Sequence, residues 1–507
     1  MILINPPVTK PCEPPAGLAR LAGVLAEAGH PCRVVDMNIE GILEMLGSST
    51  MGSDVWTSRA ARNLPRNLDA LRDKGTYRNF DRYKRCVIDL NRLLSVSADG
   101  ARLSLSDYDE ARLSPVRSAD LLSAAARPEN NPFYNYFSRR LREILEGGIH
   151  SSAGFSLTYL SQALTTFAMI GFVRQTFPAV RTVLGGGLVS SWMASTGWQD
   201  PFGGLVDHLV RGPGEDFLLG LMSPLSKKGR RSDISPYAYE ALPLETYLAP
   251  GMVMPYSTST GCYYGACSFC PERAEGNSYI QKPPGRVASA LSRLVARMKP
   301  TLVHIVDNAI SPATLKALVK EPPGAPWYGF ARVTPELADR DFCEALKGSG
   351  CVMLKLGVES GDQRVLDGMR KGIELSVVSK ALRSLSLAGI ATYVYLLFGT
   401  PWEDEASARK TLNIVVDHHE SISFLNLAVF NLPLKSPDAH GLELKPFYGG
   451  DLSLYADFVH PSGWDRKKVR RFLDKDFTRH PVVRKIVNRQ PPYFTSNHAP
   501  LFSDAFC

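Results

Sequence analysis

Apolar and polar positions alternate along the chain in a way that predicts short strands separated by helices. Ile2–Asn5 is a short apolar run that ends before two prolines, and residues 16–29 repeat apolar positions at helical spacing. Cys32–Asp36 is the next apolar run, and the alternation resumes near Ala153 and again near Thr182. Apolar repeats of period 3.6 predict helices, whereas short runs bounded by Gly and Pro predict strands. Strands that alternate with helices predict a parallel sheet with right-handed crossovers.

A second alternation of strands and helices begins near Ser257 and predicts an open barrel. With one strand near Ser257, it contains six predicted strands, the other five being Leu302–Asp307, Trp327–Arg332, Val352–Gly357, Thr392–Phe398 and Ser423–Val429. The α/β chain is therefore expected to have four parts. These are a domain at 1–225 with a helical basic insertion at about 50–145, a linker at 226–254, a partial (β/α)6 barrel at 255–432 and a small α-rich C-terminal part at 433–507.

The composition excludes several classes of protein. No apolar run reaches the roughly 18 residues that a membrane span needs, and the first residues lack the basic and long apolar regions of a secretory signal. With 44% apolar and 21% charged residues, disorder of the whole chain is excluded. The nine cysteines, an odd number scattered over 507 residues, do not form the pattern of a disulfide framework. These features predict a cytoplasmic protein.

The net charge of +8 comes from two segments. Ten basic and four acidic residues lie between Arg59 and Arg92, and ten basic and three acidic residues lie between Asp465 and Arg489. Both segments suit solvated helical faces, and both also suit contact with an acidic protein or a phosphate-bearing substrate. Nucleic acid is disfavoured as a partner, because few aromatic residues interleave with these charges.

Three of the nine cysteines lie on one short loop and carry the strongest chemical signal. Cys262, Cys267 and Cys270 are spaced C-x4-C-x2-C directly after the first predicted strand of the barrel. Three thiolates on one loop can hold three irons of a [4Fe-4S] cluster and leave the fourth iron open. A zinc site needs a fourth Cys or His, for which the nearest later candidates are His304 and Cys343. Zinc binding and a chance grouping of buried cysteines stay as alternatives.

The loop resembles the cluster-binding motif of radical S-adenosylmethionine (SAM) enzymes, in which an aromatic residue, here Phe269, precedes the last cysteine. The usual spacing in that family is C-x3-C-x2-C, and this chain has one residue more. The resemblance implies a [4Fe-4S] cluster on the three cysteines and a bound SAM, which is cleaved to a 5′-deoxyadenosyl radical that abstracts hydrogen from carbon. It places these residues at SAM, besides Phe269: Asp307, Arg332, Glu359, Ser360, Phe398 and Gly399.

Each of these strand-end residues also has a simpler interpretation. Asp307 suits the cap of the next helix, and Arg332 suits a carboxylate or a helix C-terminus. A turn that contains Gly and Glu, as at Glu359, is a common way for a strand to end. The order and spacing of the elements favour the family resemblance over these separate interpretations.

The first alternation resembles the cobalamin-binding domain of cobalamin-dependent radical SAM enzymes, through the segment Asn5-Pro6-Pro7 and the glycine-rich strand ends. Glycines let the backbone approach a bulky ligand. The resemblance implies a Rossmann-like domain that holds cobalamin through Ser156, Thr158, Gly185, Gly186, Gly187, Gly212, Gly214 and Glu215. The motif D-x-H-x-x-G, which ligates cobalt from below, is matched only by Asp36–Gly41 with Asn38 in place of His, and we interpret this match as coincidental. A degenerate domain without a cofactor stays as an alternative.

Together the two resemblances identify the chain as a member of the cobalamin-dependent radical SAM superfamily, of the class B methyltransferases. They imply transfer of a methyl group from methylcobalamin to an unactivated carbon, with electrons from an external donor of the ferredoxin or flavodoxin type. The basic segments favour a peptide or protein substrate, for example a residue of methyl-coenzyme M reductase, over a small molecule. One alternative is cyclisation or rearrangement of a small molecule without methyl transfer. Another is a non-catalytic metal-binding partner protein.

Overall fold

The chain folds into two compact units. The first comprises Met1–Met252 and a short segment that ends at Ser453, and the second comprises Val253–Phe447 and the residues from Leu454 onward. The limits of the four predicted parts stay predictions. The computed structural model describes residues 1–48, 54–98, 100–148, 150–195, 197–222, 236–447, 449–504 and 506.

The first unit is built on a parallel sheet whose strand order reverses direction once. Its strands are β1 (Ile2–Asn5), β2 (Arg33–Asp36), β3 (Ser152–Ser156), β4 (Arg181–Gly185) and β5 (His208–Leu209). They are arranged in the order β2-β1-β3-β4-β5, and every neighbouring pair is parallel. Sheets of this order bind ligands beyond the carboxyl ends of the strands, where the order reverses between β1 and β3.

Helices follow the strands of the first sheet, at Ala16–Glu27, Met37–Gly47, Leu160–Thr176, Gly187–Met193 and Glu215–Met222. The helix Leu160–Thr176 is buried at every position from 162 to 173. A Cβ at Gly171 would lie 1.9 Å from the carbonyl oxygen of Ala125, so only glycine permits this close approach of a second helix. A helix that is buried on all sides lies inside the unit and not on its surface.

The insertion between β2 and β3 is mainly helical. Arg92 Nη2 lies 2.8 Å from Asp54, and Arg59 Nη2 lies 3.3 Å from Asp89, so part of the basic charge is paired within the insertion. A short antiparallel hairpin, Arg102–Leu103 with Tyr108–Asp109, was not expected from the sequence. The helices are Val55–Arg62, Leu64–Arg72, Phe80–Ser97, Ser118–Ala126 and Tyr134–Leu145.

Residues 236–252, which the sequence analysis interprets as part of a linker, belong to the first unit. The Ala238 amide donates to the Ala19 carbonyl oxygen, and the Leu248 amide donates to that of Pro11. Tyr247 and Leu248 are buried, so the Pro-punctuated stretch contributes apolar side chains to the fold. Residues 226–235 of the predicted linker lie outside the described residues.

The second unit is built on six parallel strands that follow chain order across the sheet. They are β6 (Val253–Tyr256), β7 (Leu302–Ile305), β8 (Trp327–Ala331), β9 (Cys351–Glu359), β10 (Ala391–Phe398) and β11 (Phe424–Val429). All nine residues of β9 are buried, as expected of a central strand covered on both faces. The main helices between the strands are Pro284–Met298, Pro312–Lys320, Arg340–Gly348, Leu375–Leu387 and Glu405–Asp417. This arrangement confirms the predicted α/β partial barrel.

The C-terminal part of the second unit contains a small sheet in addition to the predicted helices. Its strands Leu432–Pro433, Leu444–Pro446 and Tyr455–Phe458 are antiparallel, with the last in the middle. Two of these strands end in proline, which gave no strand signal in the sequence. The helices are Arg466–Phe472, Pro481–Val487 and Thr495–His498. Within the described residues, no helix is both long and apolar enough to span a membrane.

Candidate active site

The three cysteines of the C-x4-C-x2-C motif lie on a loop that follows β6. An antiparallel ribbon of Ser259–Thr260 with Ile280–Gln281 closes the loop at its base. Gly261 has a φ of +74°, and a Cβ there would lie 2.7 Å from the Ser278 carbonyl oxygen, so this turn requires glycine. All three cysteines are free thiols; Cys267 is buried and the other two are half-buried.

Asp307, just beyond β7, fixes the base of this loop. Its carboxylate accepts hydrogen bonds from the Thr258 amide and the Ser259 hydroxyl, each at 2.6 Å. The next helix is capped instead by Ser311, whose hydroxyl accepts from the Thr314 amide. The helix-cap interpretation of Asp307 is therefore wrong, and the side chain ties the end of β6 to the end of β7.

Arg332, just beyond β8, contacts the cysteine loop directly. Its Nη1 lies 3.6 Å from Cys267 Sγ, and its guanidinium lies 3.5 Å from the centroid of the Tyr264 ring. Its Nη2 donates to the Lys371 carbonyl oxygen at 2.5 Å. The side chain is 7% exposed, so its charge faces the loop inside the protein.

Glu359, the last residue of β9, pairs with a lysine next to the loop. Lys371 Nζ lies 2.8 Å from Glu359 Oε1 with both side chains buried, and 5.5 Å from the centroid of the Phe269 ring. Glu359 has a φ of +67°, and the pairing of β9 with β10 shifts register between Gly357 and Glu359. This bulge and the left-handed turn set the direction of the carboxylate.

Three other predicted SAM-site residues contact helical segments of the second unit that follow its fifth strand, β10, in the chain. The Ser360 hydroxyl lies 3.4 Å from Thr411 Oγ1 on the helix Glu405–Asp417. Phe398 packs on Phe472 and Phe477, and a Cβ at Gly399 would lie 3.2 Å from Val469. The structure thus places Arg332 and Glu359 beside the loop that carries Cys267 and Phe269. The contacts of Ser360, Phe398 and Gly399 given above are with other parts of the second unit.

Glu403, which the sequence analysis did not select as a site residue, is buried near Gly399. Its Oε2 accepts hydrogen bonds from the Gly399 amide at 2.5 Å and from Trp464 Nε1 at 3.0 Å. Its Oε1 is buried with no hydrogen-bond partner among the described residues. Burial raises the pKa of Glu403 to about 7.

The chemistry of the loop fits an iron–sulfur cluster. Burial raises the pKa of the Cys267 thiol, while the nearby charges of Lys371 and Arg332 oppose that rise, and burial raises the pKa of Cys270 to about 11. Metal ligation removes such protons, and adjacent cations favour the resulting thiolates. The buried hydroxyl of Tyr263, next to Cys262, has no hydrogen-bond partner in the described part of the chain.

The candidates for a fourth zinc ligand are engaged elsewhere. His304 Nε2 lies 3.0 Å from Lys355 Nζ, and its ring stacks on Tyr328. Cys343 donates to the Leu337 carbonyl oxygen. Among the described residues, no three His, Cys, Asp or Glu side chains are grouped around a single ion position. A [4Fe-4S] cluster instead binds each cysteine on a different iron, and three thiols on one loop suit that ligand pattern.

The strand ends of the first sheet are joined mainly by backbone contacts. Gly186 has a φ of +114°, and a Cβ there would lie 2.4 Å from the Leu157 carbonyl oxygen. The Leu157 amide donates to the Gly185 carbonyl oxygen at 2.7 Å, so the segments after β3 and β4 are held together. Ser156, Thr158, Gly185 and Gly187 lie along these two segments and have half-buried or exposed positions.

The predicted cobalamin residues after β5 are divided between two environments. The Gly212 amide donates to Ser190 Oγ, which in turn donates to the Gly186 carbonyl oxygen, both at 2.9 Å. Gly212 therefore joins the glycine turn after β4. Glu215 is buried and lies 2.5 Å from Arg20 Nε, and Gly214 packs against Leu21. Those two residues contact the first helix instead.

Gln162 joins the two strands at which the sheet order reverses. Its Oε1 accepts from the amides of Thr158 and Tyr159, and its Nε2 donates to the Pro6 carbonyl oxygen at 2.8 Å. In the neighbouring segment, both polar atoms of the Asn38 side chain are bonded to the backbone of Thr9. Asn38 is therefore a structural residue, in agreement with our interpretation of the D-x-H-x-x-G match.

The sequence analysis missed Lys371, Tyr264, Gln162 and Ser190. Tyr264 carried a weak signal, because it lies in the spacer that makes C-x4-C one residue longer than the family pattern. Lys371 lies between a helix and a glycine, far from any strand end. Gln162 and Ser190 lie on helices, where a polar residue gives no sequence signal of a functional role before its tertiary contacts are known.

Comparison with known proteins identifies the second unit. The family model of the Radical SAM superfamily matches residues 256–414. A curated relative is the anaerobic magnesium-protoporphyrin IX monomethyl ester cyclase of Rubrivivax gelatinosus, 22% identical over 55% of this chain and 59% of that protein. The chain thus spans about three-fifths of the curated relative's length.

Solved structures match nearly the whole chain. One is the radical SAM methyltransferase TsrM from Kitasatospora setae with cobalamin and a [4Fe-4S] cluster bound, with a TM-score of 0.51, 17% identity, and coverage of 89% of this chain and 81% of that chain. Another is the cobalamin-dependent SAM radical enzyme OxsB with aqua-cobalamin bound, with a TM-score of 0.55, 12% identity, and coverage of 94% and 67%. The chain carries a radical SAM domain within the fold of the cobalamin-dependent radical SAM enzymes, as the resemblance implied.

Proposed function

We propose that the chain is a cobalamin-dependent radical SAM C-methyltransferase, which moves a methyl group to an unactivated carbon. One observation carries this proposal. A loop with three free thiols and a buried arginine follows the first strand of one parallel sheet, while the other sheet, of order 2-1-3-4-5, ends in glycine turns. The cysteine loop suits a [4Fe-4S] cluster with SAM, and the glycine turns suit cobalamin. A reaction of this class combines these groups.

In the second unit, Cys262, Cys267 and Cys270 would hold a [4Fe-4S] cluster. Arg332 and Glu359 lie next to that loop and would orient the charged groups of SAM. When bound, the cluster and SAM supply one-electron and radical chemistry, and cobalamin supplies a carrier for the methyl group. The buried Lys371–Glu359 pair beside the loop would help to keep water from the place where a reactive species must not be quenched.

In the first unit, the glycine turns would let the backbone approach cobalamin. Gly186, Gly187 and Gly212 offer little side-chain bulk, and Tyr159 and Leu160, 58% and 36% exposed, offer apolar surface beside them. Large exposed apolar side chains beside these strand ends would give a ligand an apolar surface to pack on. Glu215 would act through its pair with Arg20 and hold the helix after β5 in place.

The substrate we favour is a peptide or protein residue, because of the two basic segments. TsrM has also been solved with tryptophan as its substrate and a SAM analogue bound. A small aromatic molecule is therefore a second substrate class to test. The ferredoxin- or flavodoxin-type electron donor and the cytoplasmic location stay predictions.

A second candidate function is cyclisation or rearrangement of a small molecule without methyl transfer. The curated relative from Rubrivivax gelatinosus is named as a cyclase, and this favours the second candidate. Both candidates use the same cluster loop. They differ in the fate of SAM, since only methyl transfer releases S-adenosylhomocysteine.

The first experiment is anaerobic reconstitution of the full chain with iron, sulfide and hydroxocobalamin, followed by ultraviolet–visible spectra and metal counting. About four irons and one cobalt per chain are expected. Four irons without cobalt would remove methyl transfer and leave the second candidate. Zinc without iron would contradict both.

The second experiment follows the methyl group. The reconstituted, reduced chain is incubated with methyl-labelled SAM in the absence of substrate, and S-adenosylhomocysteine is measured. A methyltransferase is expected to release about one equivalent per bound cobalamin, and a control without hydroxocobalamin is expected to release none. No release from a chain that retains cobalamin would favour cyclisation.

A further inference from the structure

A four-residue strap, residues 369–372, packs against the cysteine loop. The Met369 carbonyl oxygen accepts from the Ser268 amide, between two of the cysteines, at 3.0 Å, and the Arg370 carbonyl oxygen accepts from the Tyr264 hydroxyl at 3.0 Å. Gly372, with a φ of +62°, leaves room for the same hydroxyl, which would lie 2.0 Å from a Cβ. The strap thus contacts the loop at both ends.

The strap also fixes Arg332. The Lys371 carbonyl oxygen accepts from one nitrogen of the guanidinium, whose planar group lies over the Tyr264 ring. This leaves the other terminal nitrogen, Nη1, at hydrogen-bond distance from Cys267 Sγ. Tyr264 belongs to the four-residue spacer between Cys262 and Cys267, so the longer spacer of this chain presents the ring that holds the arginine.

Two of the cations beside the loop, Lys371 and Arg332, differ in whether a carboxylate pairs with them. Lys371 is paired with Glu359 at 2.8 Å. Arg332 makes no ion pair with a carboxylate among the described residues, and it is 7% exposed. A buried charge without a counter-charge acts more strongly on its neighbours than one exposed to water. Beside Cys267, the charge of Lys371 is therefore offset by Glu359, whereas no carboxylate of the described residues pairs with the charge of Arg332.

We infer that Arg332, held by the strap and by Tyr264, raises the reduction potential of the cluster that the proposed function places on this loop. One-electron reduction adds one negative charge to a cluster held by three thiolates. A neighbouring cation and a hydrogen bond to a ligand sulfur both stabilise the reduced form. Arg332 supplies both, which makes the electron easier to transfer from a weak donor. The inference rests on the proposed function, since it needs the cluster.

The test is a potentiometric titration of the reconstituted full chain with dithionite as the electron source, followed by electron paramagnetic resonance. Arg332→Met removes the charge and keeps the length of the side chain, whereas Arg332→Lys keeps the charge. We expect the Arg332→Met midpoint to move to a more negative potential and the Arg332→Lys midpoint to stay closer to that of the wild type. The matched control, Arg340→Met, removes an exposed arginine that pairs with Glu344 on the next helix, and is expected to leave the midpoint unchanged.

Iron content separates the outcomes. A wild-type chain that takes up no iron contradicts the proposed function, whereas a fully loaded Arg332→Met variant with the wild-type midpoint overturns this inference alone. If Arg332→Met takes up no iron, the Tyr264→Leu variant tests the inference in its place. This variant keeps the arginine and removes the ring that holds it. A loaded Tyr264→Leu variant is expected to have a more negative midpoint, and an unchanged one overturns the inference.

Discussion

The two parallel sheets end in edges of different chemical character, although the first edge also carries one buried carboxylate, Asp36 at the end of β2. At the first edge, Gln162, Ser190 and the Gly186 turn join the strand ends through neutral groups and backbone. At the second edge, the strand ends carry Asp307, Arg332 and Glu359, all buried and all charged. Both edges use the same topological position, beyond the carboxyl ends of parallel strands.

The difference shows how one topology serves two kinds of ligand. A glycine-lined edge lets the backbone approach a large ligand with dispersed charge. A buried, charged edge costs desolvation free energy unless every charge is paired or hydrogen-bonded, so its side chains must be fixed before a ligand arrives. The second edge meets that condition through the Lys371–Glu359 pair and the donors around Asp307.

The largest expected effect comes from removing one cysteine at the charged edge. Cys267→Ala should lower iron from about four per chain to nearly none, because one of three ligands is lost. Cobalt should still be retained, since under the proposed function the first edge would hold cobalamin through other residues. Iron and cobalt are measured after the same anaerobic reconstitution.

The control for this variant is Cys343→Ser, which changes a buried cysteine that donates to the Leu337 carbonyl oxygen. It should keep its iron. Loss of cobalt together with iron in Cys267→Ala would break the comparison, because the two edges would then not be separate sites.

A second prediction tests the glycine-lined edge of the first sheet. Gly186→Ala combines a positive φ with a Cβ 2.4 Å from the Leu157 carbonyl oxygen. It should lower the free energy of unfolding by about 3 kcal/mol or more, and cobalamin retention should fall with it. The measurements are urea unfolding of the full chain and cobalt content.

Gly29→Ala is the matched control for the backbone term. Gly29 also has a positive φ, of +80°, but a Cβ there would meet nothing within 4 Å. Gly29→Ala should lower the free energy of unfolding by about 1 kcal/mol and leave cobalt binding unchanged. Equal losses in both variants would show that the close approach to Leu157 adds nothing to the stability.

The fold and part of the charged edge could be predicted from the sequence. The cysteine spacing and the apolar runs depend on local patterns, and charged residues directly after apolar runs mark strand ends. Glu359 and Ser360 are adjacent, yet one faces Lys371 and the other Thr411. The bulge at Gly357 and the positive φ of Glu359 break the alternation of β9, and no sequence pattern gave that reversal.

The residues that escaped prediction act through tertiary contacts. Tyr264 donates to the Arg370 carbonyl oxygen although 106 positions separate them along the chain, and Lys371 is the next residue. Glu215 looked like a ligand-binding carboxylate at a glycine turn, but the structure pairs it with Arg20. The local sequence is the same in either case, so only packing decides whether such a charge faces a ligand or a helix.

The smallest expected effect, about 1 kcal/mol per pH unit, is a pH dependence of the stability that comes from Glu403 in the second unit. Burial raises the pKa of Glu403 from 4.5 to about 7. Its contribution to stability is therefore fully present below about pH 4.5 and is lost as the pH rises to about 7, a change of about 3 kcal/mol. Glu403→Gln keeps the acceptor for Gly399 and Trp464 but cannot titrate. It should flatten the stability profile between pH 4.5 and 7 by about 1 kcal/mol per pH unit.

The neighbouring Asp404 supplies a control of opposite sign. The Ser407 amide and hydroxyl lower the pKa of Asp404 from 3.8, so its contribution is present above that value and is lost as the pH falls. Asp404→Asn should alter the profile only at acidic pH, outside the window of Glu403. Urea unfolding of the full chain at intervals between about pH 2 and 8 measures both. An unchanged slope in Glu403→Gln would mean that Glu403 stays ionised despite its burial, and the carboxylate would then need a donor for Oε1.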